Sequence, residues 1–265
     1  MTTPHDVTAL QALALDIARE AAELIRDTQP GMIQLTGTKS SAVDVVTATD
    51  QAVEELIRAR LGQSRPGDAI IGEEGANQAG SSGVEWIIDP IDGTVNFIYG
   101  IPAYAVSIGV RIDGEPTAGV VLNAATGDEY SASIDTPATR NGQQLRARTP
   151  DSLAVALIAT GFGYDAGLRA EQGASVARML PHVRDIRRIG SCALDLCGVA
   201  EGSVNCYVEE GPHLWDYAAG QVIARSAGAV FEVGESPRGK PVLHCAPAAL
   251  FDEFVDLLQS CKFLI

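Results

Sequence analysis

The sequence predicts an α/β protein in which helices are layered against two β-sheets. Short apolar runs separated by turn residues fill residues 69–134, a pattern typical of consecutive strands. After residue 150, strand-like and helix-like segments alternate, and no low-complexity linker divides the chain. Hydrophobic residues make up 46% and charged residues 20% of the 265 residues, which excludes extensive disorder. We therefore expect a single domain over residues 1–265, with an α+β part over about 1–150 and an α/β part over about 151–265.

The N-terminal part begins with two predicted helices, over residues 6–27 and 47–61. Apolar side chains recur in both at spacings of three and four, as on the buried face of an amphipathic helix. Residues 29–42 lie between them, lack such a period and contain two glycines and a proline. We predict a loop or a weak hairpin for this segment.

The first sheet is predicted to contain five short strands, over residues 69–72, 86–88, 106–112, 117–122 and 129–134. Asp-Gly and Thr-Gly-Asp turns separate the last three, which predicts an antiparallel meander. From this meander we expect the whole first sheet to be antiparallel. A further turn is predicted at Arg-Asn-Gly, residues 140–142.

The second half of the chain is predicted to alternate between strands and helices. The predicted strands are 154–159, 185–189, 204–208, 229–233 and 242–245. The predicted helices are 171–180, 191–200, 215–227 and 247–259.

The charge and the cysteines restrict the function classes. With 34 acidic and 19 basic residues the formal net charge is −15, which disfavours binding to nucleic acid or to an anionic membrane. The five cysteines form no CxxC pair, and neither a basic apolar leader nor a membrane-spanning run is present. We expect buried free thiols and a cytoplasmic location.

Acidic residues cluster at the ends of three predicted elements. Glu73 follows one strand, Asp89 and Asp92 follow another within WIIDPIDGT, and Asp216 opens a helix. Each has a structural explanation when taken alone, because Asp is common in turns and at helix starts. Taken together they supply the hard oxygen ligands that suit Mg²⁺.

The motifs IGEE (71–74), WIIDPIDGTVNF (86–97) and WDYAAGQVIA (215–224) resemble, in order and spacing, the hallmark motifs of the inositol monophosphatase family. The resemblance covers residues 16–258, and TGFGY (160–164) with RRIGS (187–191) is similar to the bacterial inositol-1-monophosphatase branch. It implies a five-layer αβαβα sandwich of the inositol monophosphatase and fructose-1,6-bisphosphatase type. It also implies a homodimer.

The resemblance implies two or three Mg²⁺ ions per site. Glu73, Asp89 and the Ile91 carbonyl would hold one ion, and Asp89, Asp92 and Asp216 a second. A third, weaker ion would lie near Glu73 with water ligands.

The resemblance also implies that Thr94 and Glu73 orient the attacking water and that Asp50 holds the Thr94 hydroxyl. A structural role is open for Asp50, because Thr47 and Asp50 have capping-box spacing, and both roles can coexist. Lys39, in the segment 29–42, would approach the phosphate or the third ion; the alternative is a solvated side chain.

The substrate contacts implied by the resemblance are Asp92, Gly93, Thr94, Arg187, Gly190, Ser191, Cys192, Glu209 and Asp216. Glu209 matches the acid that binds inositol hydroxyls; its alternative is a rim charge beside Glu210. Asn205 stands where the family usually has an Asp that helps bind the ring, and Asn lacks the charge. We expect Glu209 and Asn205 to flank the strand end facing the leaving alcohol, so that Asn205→Asp improves activity on inositol 1-phosphate.

The function that the resemblance implies is Mg²⁺-dependent hydrolysis of myo-inositol 1-phosphate by in-line attack of water on phosphorus, with inhibition by lithium. Alternative substrates within the family are fructose 1,6-bisphosphate, histidinol phosphate, NADP(H) and adenosine 3′,5′-bisphosphate. A regulatory protein-binding role is an alternative from another class. The expected partners are a small phosphorylated polyol and a second copy of the chain.

Overall fold

The structure is a computed structural model that describes residues 5–27, 35–38 and 45–265, with backbone alone for 35–38 and 45–46. The α-helices are α1 Val7–Asp27, α2 Ala48–Ser64, α3 Thr94–Tyr99, α4 Ala166–Met179, α5 Cys192–Glu201, α6 Leu214–Ser226 and α7 Phe251–Ser260. The strands are β1 Leu35–Thr38, β2 Val45–Thr47, β3 Ala69–Gly72, β4 Val84–Asp92, β5 Ala105–Ile112, β6 Glu115–Asn123, β7 Glu129–Ser133, β8 Thr139–Arg140, β9 Gln143–Gln144, β10 Leu157–Thr160, β11 Asp185–Arg187, β12 Cys206–Glu210, β13 Ala229–Glu235 and β14 Pro241–Pro247.

The larger sheet has seven strands in chain order, from β3 to β9. The predicted meander is confirmed, because β5, β6 and β7 pair antiparallel. The expectation of a wholly antiparallel sheet is wrong for one pair, since β3 and β4 are parallel. The segment between them runs back beside β3, where Gln78 forms an antiparallel bridge with Ile70, before β4 begins in the direction of β3.

The smaller sheet has five strands in the order β11-β10-β12-β14-β13. Strand β10 pairs parallel with β11 and β12, whereas β14 pairs antiparallel with β12 and β13. All five strands come from the second half of the chain.

Four buried apolar clusters lie between five layers, so the predicted αβαβα order is confirmed. Helices α1 and α2 cover one face of the large sheet, and α5 and α6 cover its other face. The second faces of α5 and α6 pack against the small sheet, and α4 and α7 close its outer face. The helices α5 and α6 thus form the central layer, in contact with both sheets.

A pair of glycines brings the central layer close to the large sheet. Gly109 of β5 and Gly119 of β6 are direct cross-strand neighbours. A Cβ at Gly109 would lie 2.7 Å from the Ala218 Cβ, and one at Gly119 would lie 2.9 Å from the Ala219 Cα. Helix α6, which carries Asp216, can therefore approach the sheet backbone only because both positions lack side chains.

Several element boundaries differ from the prediction. Strand β4 is longer than 86–88 and continues through Pro90 to Asp92, with a register shift against β5 between Asp89 and Asp92. Helix α4 begins before residue 171, because the Asp165 side chain caps it by accepting a hydrogen bond from the Leu168 N–H. The strands predicted at 154–159 and 204–208 each begin later, at Leu157 and Cys206, and the last helix starts at Phe251 after a 3₁₀ turn.

All five cysteines are free and buried, as predicted. Among the described helices, none combines the length and the apolar character that crossing a membrane requires.

Candidate metal centre

Three carboxylates converge where the large sheet meets the central helix layer. One oxygen from each of Asp89, Asp92 and Asp216 lies within 4.8 Å of the others. Asp89 is 1% exposed and Asp92 is 8% exposed. The end of β4 supplies two of these groups, and the first turn of α6 supplies the third.

The irregular end of β4 places two of its acids in one cluster. Residues three apart on a regular strand point to opposite faces. The register shift between Asp89 and Asp92 interrupts that alternation, as a β-bulge does. The Ile91 N–H also donates to Asp89 Oδ1 at 3.0 Å, which fixes the tight local path of the backbone.

Asp92 also joins the two halves of the chain. Its Oδ2 accepts hydrogen bonds from the Ser191 hydroxyl and the Ala193 N–H, both at 2.6 Å. Ser191 is in turn the N-cap of α5, where its hydroxyl accepts from the Leu194 N–H. Ser191 and the adjacent Cys192 thus lie at the centre, where the sequence predicts them.

Burial and repulsion by neighbouring carboxylates raise the pKa values of Asp92 and Asp216. Desolvation raises the pKa of Asp92 to about 7, and the charges of Glu209 and Glu73 act in the same direction against its two hydrogen bonds. Burial, together with Asp92 and Glu73, raises the pKa of Asp216 well above its usual range. A divalent cation among these oxygens would offset the repulsion, so the donor set fits a hard metal ion such as Mg²⁺.

Glu73 lies at the edge of this cluster. It follows β3 and acts electrostatically on Asp92 and Asp216, but it is not among the three closest carboxylates. The two amide groups that follow Glu73, those of Glu74 and Gly75, donate to the Glu54 side chain of α2.

Thr94 and Asp50 are brought together as the sequence predicts. The Thr94 hydroxyl lies 3.1 Å from both Asp50 Oδ1 and the Ile91 carbonyl oxygen. The other oxygen of Asp50 accepts from the Thr47 N–H at 2.8 Å and from the Thr47 hydroxyl, which completes the capping box of α2. Asp50 therefore both caps α2 through Thr47 and contacts the Thr94 hydroxyl.

Gly93 allows the chain to turn from β4 into α3. Its φ of 99° lies in the region that favours glycine, and a Cβ there would approach the Ala103 carbonyl oxygen to 2.8 Å. Gly190 has the same φ of 99° and precedes Ser191. Both predicted glycines thus adjoin the centre.

Glu209 lies near the end of β12, beside polar groups of Tyr207 and Cys192. The Tyr207 hydroxyl lies 2.9 Å from Glu209 Oε2 and 3.0 Å from Cys192 Sγ. Burial raises the pKa of Glu209, against the Tyr207 hydrogen bond and the charge of Arg188. A side chain at Gly161 would overlap the Glu209 carboxylate, so this glycine keeps the space open.

Glu210 has a different environment from Glu209. Its side chain is fully buried and lies 2.6 Å from the Arg238 guanidinium. The rim-charge alternative for Glu209 assumed that Glu210 is also exposed, and Glu210 is instead buried.

The two arginines of RRIGS have different surroundings. Arg187 is exposed and pairs with Asp185 at 2.8 Å, and it also donates to the Ile186 carbonyl. Arg188 is the arginine whose charge acts on Glu209 and on the buried Asp195. The structure thus brings Arg188 toward the predicted substrate pocket, whereas Arg187 is held by its own strand.

The structure contradicts the expectation that Asn205 and Glu209 flank the same end of a strand. Its Oδ1 accepts from the Leu157 N–H at 2.9 Å, and its Nδ2 donates to the Arg148 carbonyl at 3.1 Å. Asn205 precedes β12 while Glu209 is near its end, so at about 3.3 Å per residue the two are roughly 13 Å apart along the chain. The amide connects backbone segments and does not flank Glu209.

Lys39 lies outside the described residues.

Other residues that contribute to the site were not identified from the sequence, namely Glu54, Gly161, Asp195, Tyr207 and Arg188. A usable signal existed for Glu54, since it follows Asp50 by four residues and so shares its helix face. Asp195 lay within the motif segment, but nothing in its spacing indicates a carboxylate that is 2% exposed and whose oxygens have no hydrogen-bond partner among the residues that the structure describes.

Comparison with known proteins identifies a matching family profile and similar bacterial proteins. The profile of the inositol monophosphatase family matches residues 6–249. A Mycobacterium tuberculosis protein named inositol-1-monophosphatase SuhB is 43% identical, with 98% of this chain and 97% of the relative covered. An Escherichia coli protein named Nus factor SuhB is 36% identical, with 93% and 97% covered.

The fold agrees with solved structures of such proteins. The structure of Mycobacterium tuberculosis SuhB superposes with a TM-score of 0.85 at 41% identity, covering 99% of this chain and all of that one. A Thermotoga maritima IMPase superposes with a TM-score of 0.81 at 28% identity, covering 94% and 96%. The five-layer arrangement is thus shared with these proteins.

Proposed function

The chain belongs to the inositol monophosphatase family, and on that premise we propose that it is a Mg²⁺-dependent phosphomonoesterase whose preferred substrate is myo-inositol 1-phosphate. The observation that carries the proposal is the convergence of Asp89, Asp92 and Asp216 within 4.8 Å. A structural role alone leaves this arrangement unexplained, because three acids this close together, two of them buried, repel one another.

The metal ligands in this proposal are Asp89, Asp92 and Asp216, with Glu73 and the Ile91 carbonyl completing the set. Mg²⁺ bound there would supply charge neutralisation of the phosphoryl group and an activated water. Thr94, held by Asp50, and Glu73 would orient that water for in-line attack on phosphorus. Each of these residues keeps its role whichever phosphate ester is bound.

The leaving alcohol in this proposal faces the pocket around Glu209. Its carboxylate can accept hydrogen bonds from vicinal hydroxyls, and Ser191 and Cys192 line the approach from α5. The relative at 43% identity bears the name inositol-1-monophosphatase, which supports a cyclic polyol phosphate over the other esters of the family. Fructose 1,6-bisphosphate, histidinol phosphate, NADP(H) and adenosine 3′,5′-bisphosphate are the alternatives.

The test is phosphate release from these five substrate types and from p-nitrophenyl phosphate. We expect no release with a chelator, recovery with Mg²⁺, and the highest kcat/KM with inositol 1-phosphate. We also expect inhibition by lithium. Higher kcat/KM with another ester would change the substrate, whereas no metal-dependent release from any ester would refute the enzyme.

Two further parts of the proposal concern the setting of the enzyme. We propose a homodimer, tested by light scattering, and a cytoplasmic location, tested by fractionation.

A second candidate role, binding of a regulatory protein partner, is favoured by the relative named Nus factor SuhB. Partner capture by the Asp92→Asn variant would support such a role independently of catalysis.

A further inference from the structure

Helix α2 presents two buried acids on one face. Asp50 and Glu54 are four residues apart, the spacing that stacks side chains on adjacent helical turns. They are 0% and 2% exposed. Asp50 contacts Thr94, as described above, and Glu54 points at a different part of the same centre.

Glu54 binds the chain segment that carries Glu73. Its Oε2 accepts from the Glu74 N–H at 2.8 Å, and its Oε1 accepts from the Gly75 N–H at 2.7 Å. The two amides are consecutive and directly follow Glu73. The Arg58 guanidinium lies 2.7 Å from Oε1 and compensates the charge of the carboxylate.

The sequence around Glu73 leaves space for this contact. A Cβ at Gly72 would lie 2.6 Å from Glu54 Oε1, and a Cβ at Gly75 would lie 2.7 Å from it. Neither glycine has a φ in the left-handed region, so the absence of side chains serves the close approach of Glu54 and not an unusual turn. The segment GEEG is thus shaped to receive the carboxylate of α2.

We propose that Glu54 is a positioning residue that fixes Glu73 for metal binding. The inference rests on the proposed function, because it assigns Glu54 a role toward the metal ligands. One rigid helix would then set both Thr94, through Asp50, and Glu73, through Glu54. Partners that orient metal ligands in this way typically change metal affinity by about 10- to 100-fold when they are replaced.

The test compares Glu54→Gln with Glu55→Gln. The glutamine of the first variant keeps the size of the side chain, but it offers an NH₂ group to one of the two amide donors, so the segment after Glu73 must shift. Glu55 is the adjacent residue on the exposed side of α2 and is the matched control. Mg²⁺ binding is measured by calorimetry without substrate, and folding by circular dichroism and Tm.

We expect Glu54→Gln to fold and to bind Mg²⁺ about 10-fold more weakly, with Glu55→Gln within about twofold of wild type. Activity of Glu54→Gln should recover in part at raised Mg²⁺, as a weakened ligand predicts. A Glu54→Gln protein with unchanged Mg²⁺ affinity, or an equal loss in Glu55→Gln, would overturn the inference.

A second variant keeps the inference testable if Glu54→Gln does not fold. Gly75→Ala leaves Glu54 intact but forces its carboxylate away from the loop, and we expect weaker Mg²⁺ binding by the folded protein. Wild-type affinity in this variant would also overturn the inference. If the wild-type protein bound Mg²⁺ but released no phosphate, the proposed activity would fail while the role of Glu54 stayed measurable; if it bound no Mg²⁺, both would fail.

Discussion

The behaviour of an aspartate in this molecule depends on what surrounds it. Burial raises the pKa of Asp92 to about 7, whereas hydrogen bonds from Arg140 lower the pKa of Asp128 to about 2. Asp128 lies in a partly exposed, bidentate ion pair with Arg140, which favours the charged form of the carboxylate. Asp92 sits among other acids, and that is the environment in which a metal ligand is found.

The most direct residue-scale prediction concerns Asp92→Asn. Asn removes a charged metal ligand but keeps an oxygen that can accept from Ser191, so we expect turnover to fall by orders of magnitude while the circular dichroism spectrum is retained. Asp135→Asn, at an exposed position, is the control. Near-normal turnover of a folded Asp92→Asn protein would exclude it as a ligand.

The substrate pocket yields a second prediction, for Glu209→Ala. Hydrogen bonds to a charged group contribute about 1.5–3 kcal/mol, so kcat/KM for a polyol phosphate should fall by roughly 10- to 200-fold. Hydrolysis of p-nitrophenyl phosphate, which has no ring hydroxyls, should change little. Equal losses for the two substrates would mean that Glu209 supports the metal centre or the fold.

For Asn205→Asp the structure predicts a loss of stability, whereas the sequence predicts a gain in activity on inositol 1-phosphate. A carboxylate would still accept from the Leu157 N–H, but its second oxygen would face the Arg148 carbonyl without a proton to donate. Loss of this bond and burial of the charge should lower the free energy of unfolding by about 1–3 kcal/mol in urea denaturation. A rise in inositol 1-phosphate activity with unchanged stability would contradict this.

At the scale of the elements, the contact between α6 and the large sheet depends on two glycines. In Gly119→Ala the new Cβ would meet the backbone of Ala219, which cannot move without the helix. We expect a loss of about 1–3 kcal/mol in the free energy of unfolding, together with weaker Mg²⁺ binding, because Asp216 moves with α6. Gly62→Ala is the control, since a Cβ there meets nothing within 4 Å and Ala favours its helix.

Periodicity predicted the elements whose burial repeats along the chain. The apolar spacing of three and four defined α1, and the turn dipeptides defined β5 to β7. The extension of β4 through Pro90 was missed, because a bulge depends on pairing with β5 and leaves no local pattern. The parallel pairing of β3 with β4 was missed because the direction of a strand depends on the path of the segment before it, which the apolar runs do not indicate.

The site was predictable only in part. The acids at element ends and the resemblance identified Asp89, Asp92 and Asp216, which the fold does bring together. The sequence does not show which polar atoms of a side chain form hydrogen bonds with distant segments of the chain. Asn205 was assigned to the pocket because it matches the position of a family Asp, whereas both polar atoms of its amide bind backbone groups.

At the scale of the whole molecule, the layers place the centre between the two halves of the chain. The bonds of Asp92 to Ser191 and Ala193 cross from the large sheet to the central layer, and Asn96 donates to the Ile189 carbonyl beside them. Acids that would repel one another are therefore fixed by parts of the fold that are far apart in sequence. The repulsion is a cost in stability that a bound cation relieves.

This cost predicts how the effect of metal on stability varies with pH. The pKa of Asp92 is about 7 in the folded protein, against 3.8 for an ordinary aspartate, and the pKa of Asp216 is also raised. Between about pH 4 and pH 7 the metal-free folded state thus binds more protons than the unfolded chain, so the contribution of these acids to stability falls as pH rises. Carboxylates whose pKa is lowered, such as Asp128, stabilise the folded protein throughout this window, and their contribution is lost only as the pH falls below it.

Metal binding requires the ionised carboxylates, so Mg²⁺ affinity should rise through the same window, by up to about tenfold per pH unit for each proton released. The increase in Tm between chelator and excess Mg²⁺ should therefore be larger at about pH 8 than at about pH 5.5, because tighter binding to the folded state gives greater stabilisation. Differential scanning calorimetry at both pH values measures this difference, and comparison at one pH cancels the other titrating groups. In Asp92→Asn the dependence should weaken. An increase that is independent of pH, or larger at the acidic value, would show that protons and metal do not compete for these carboxylates.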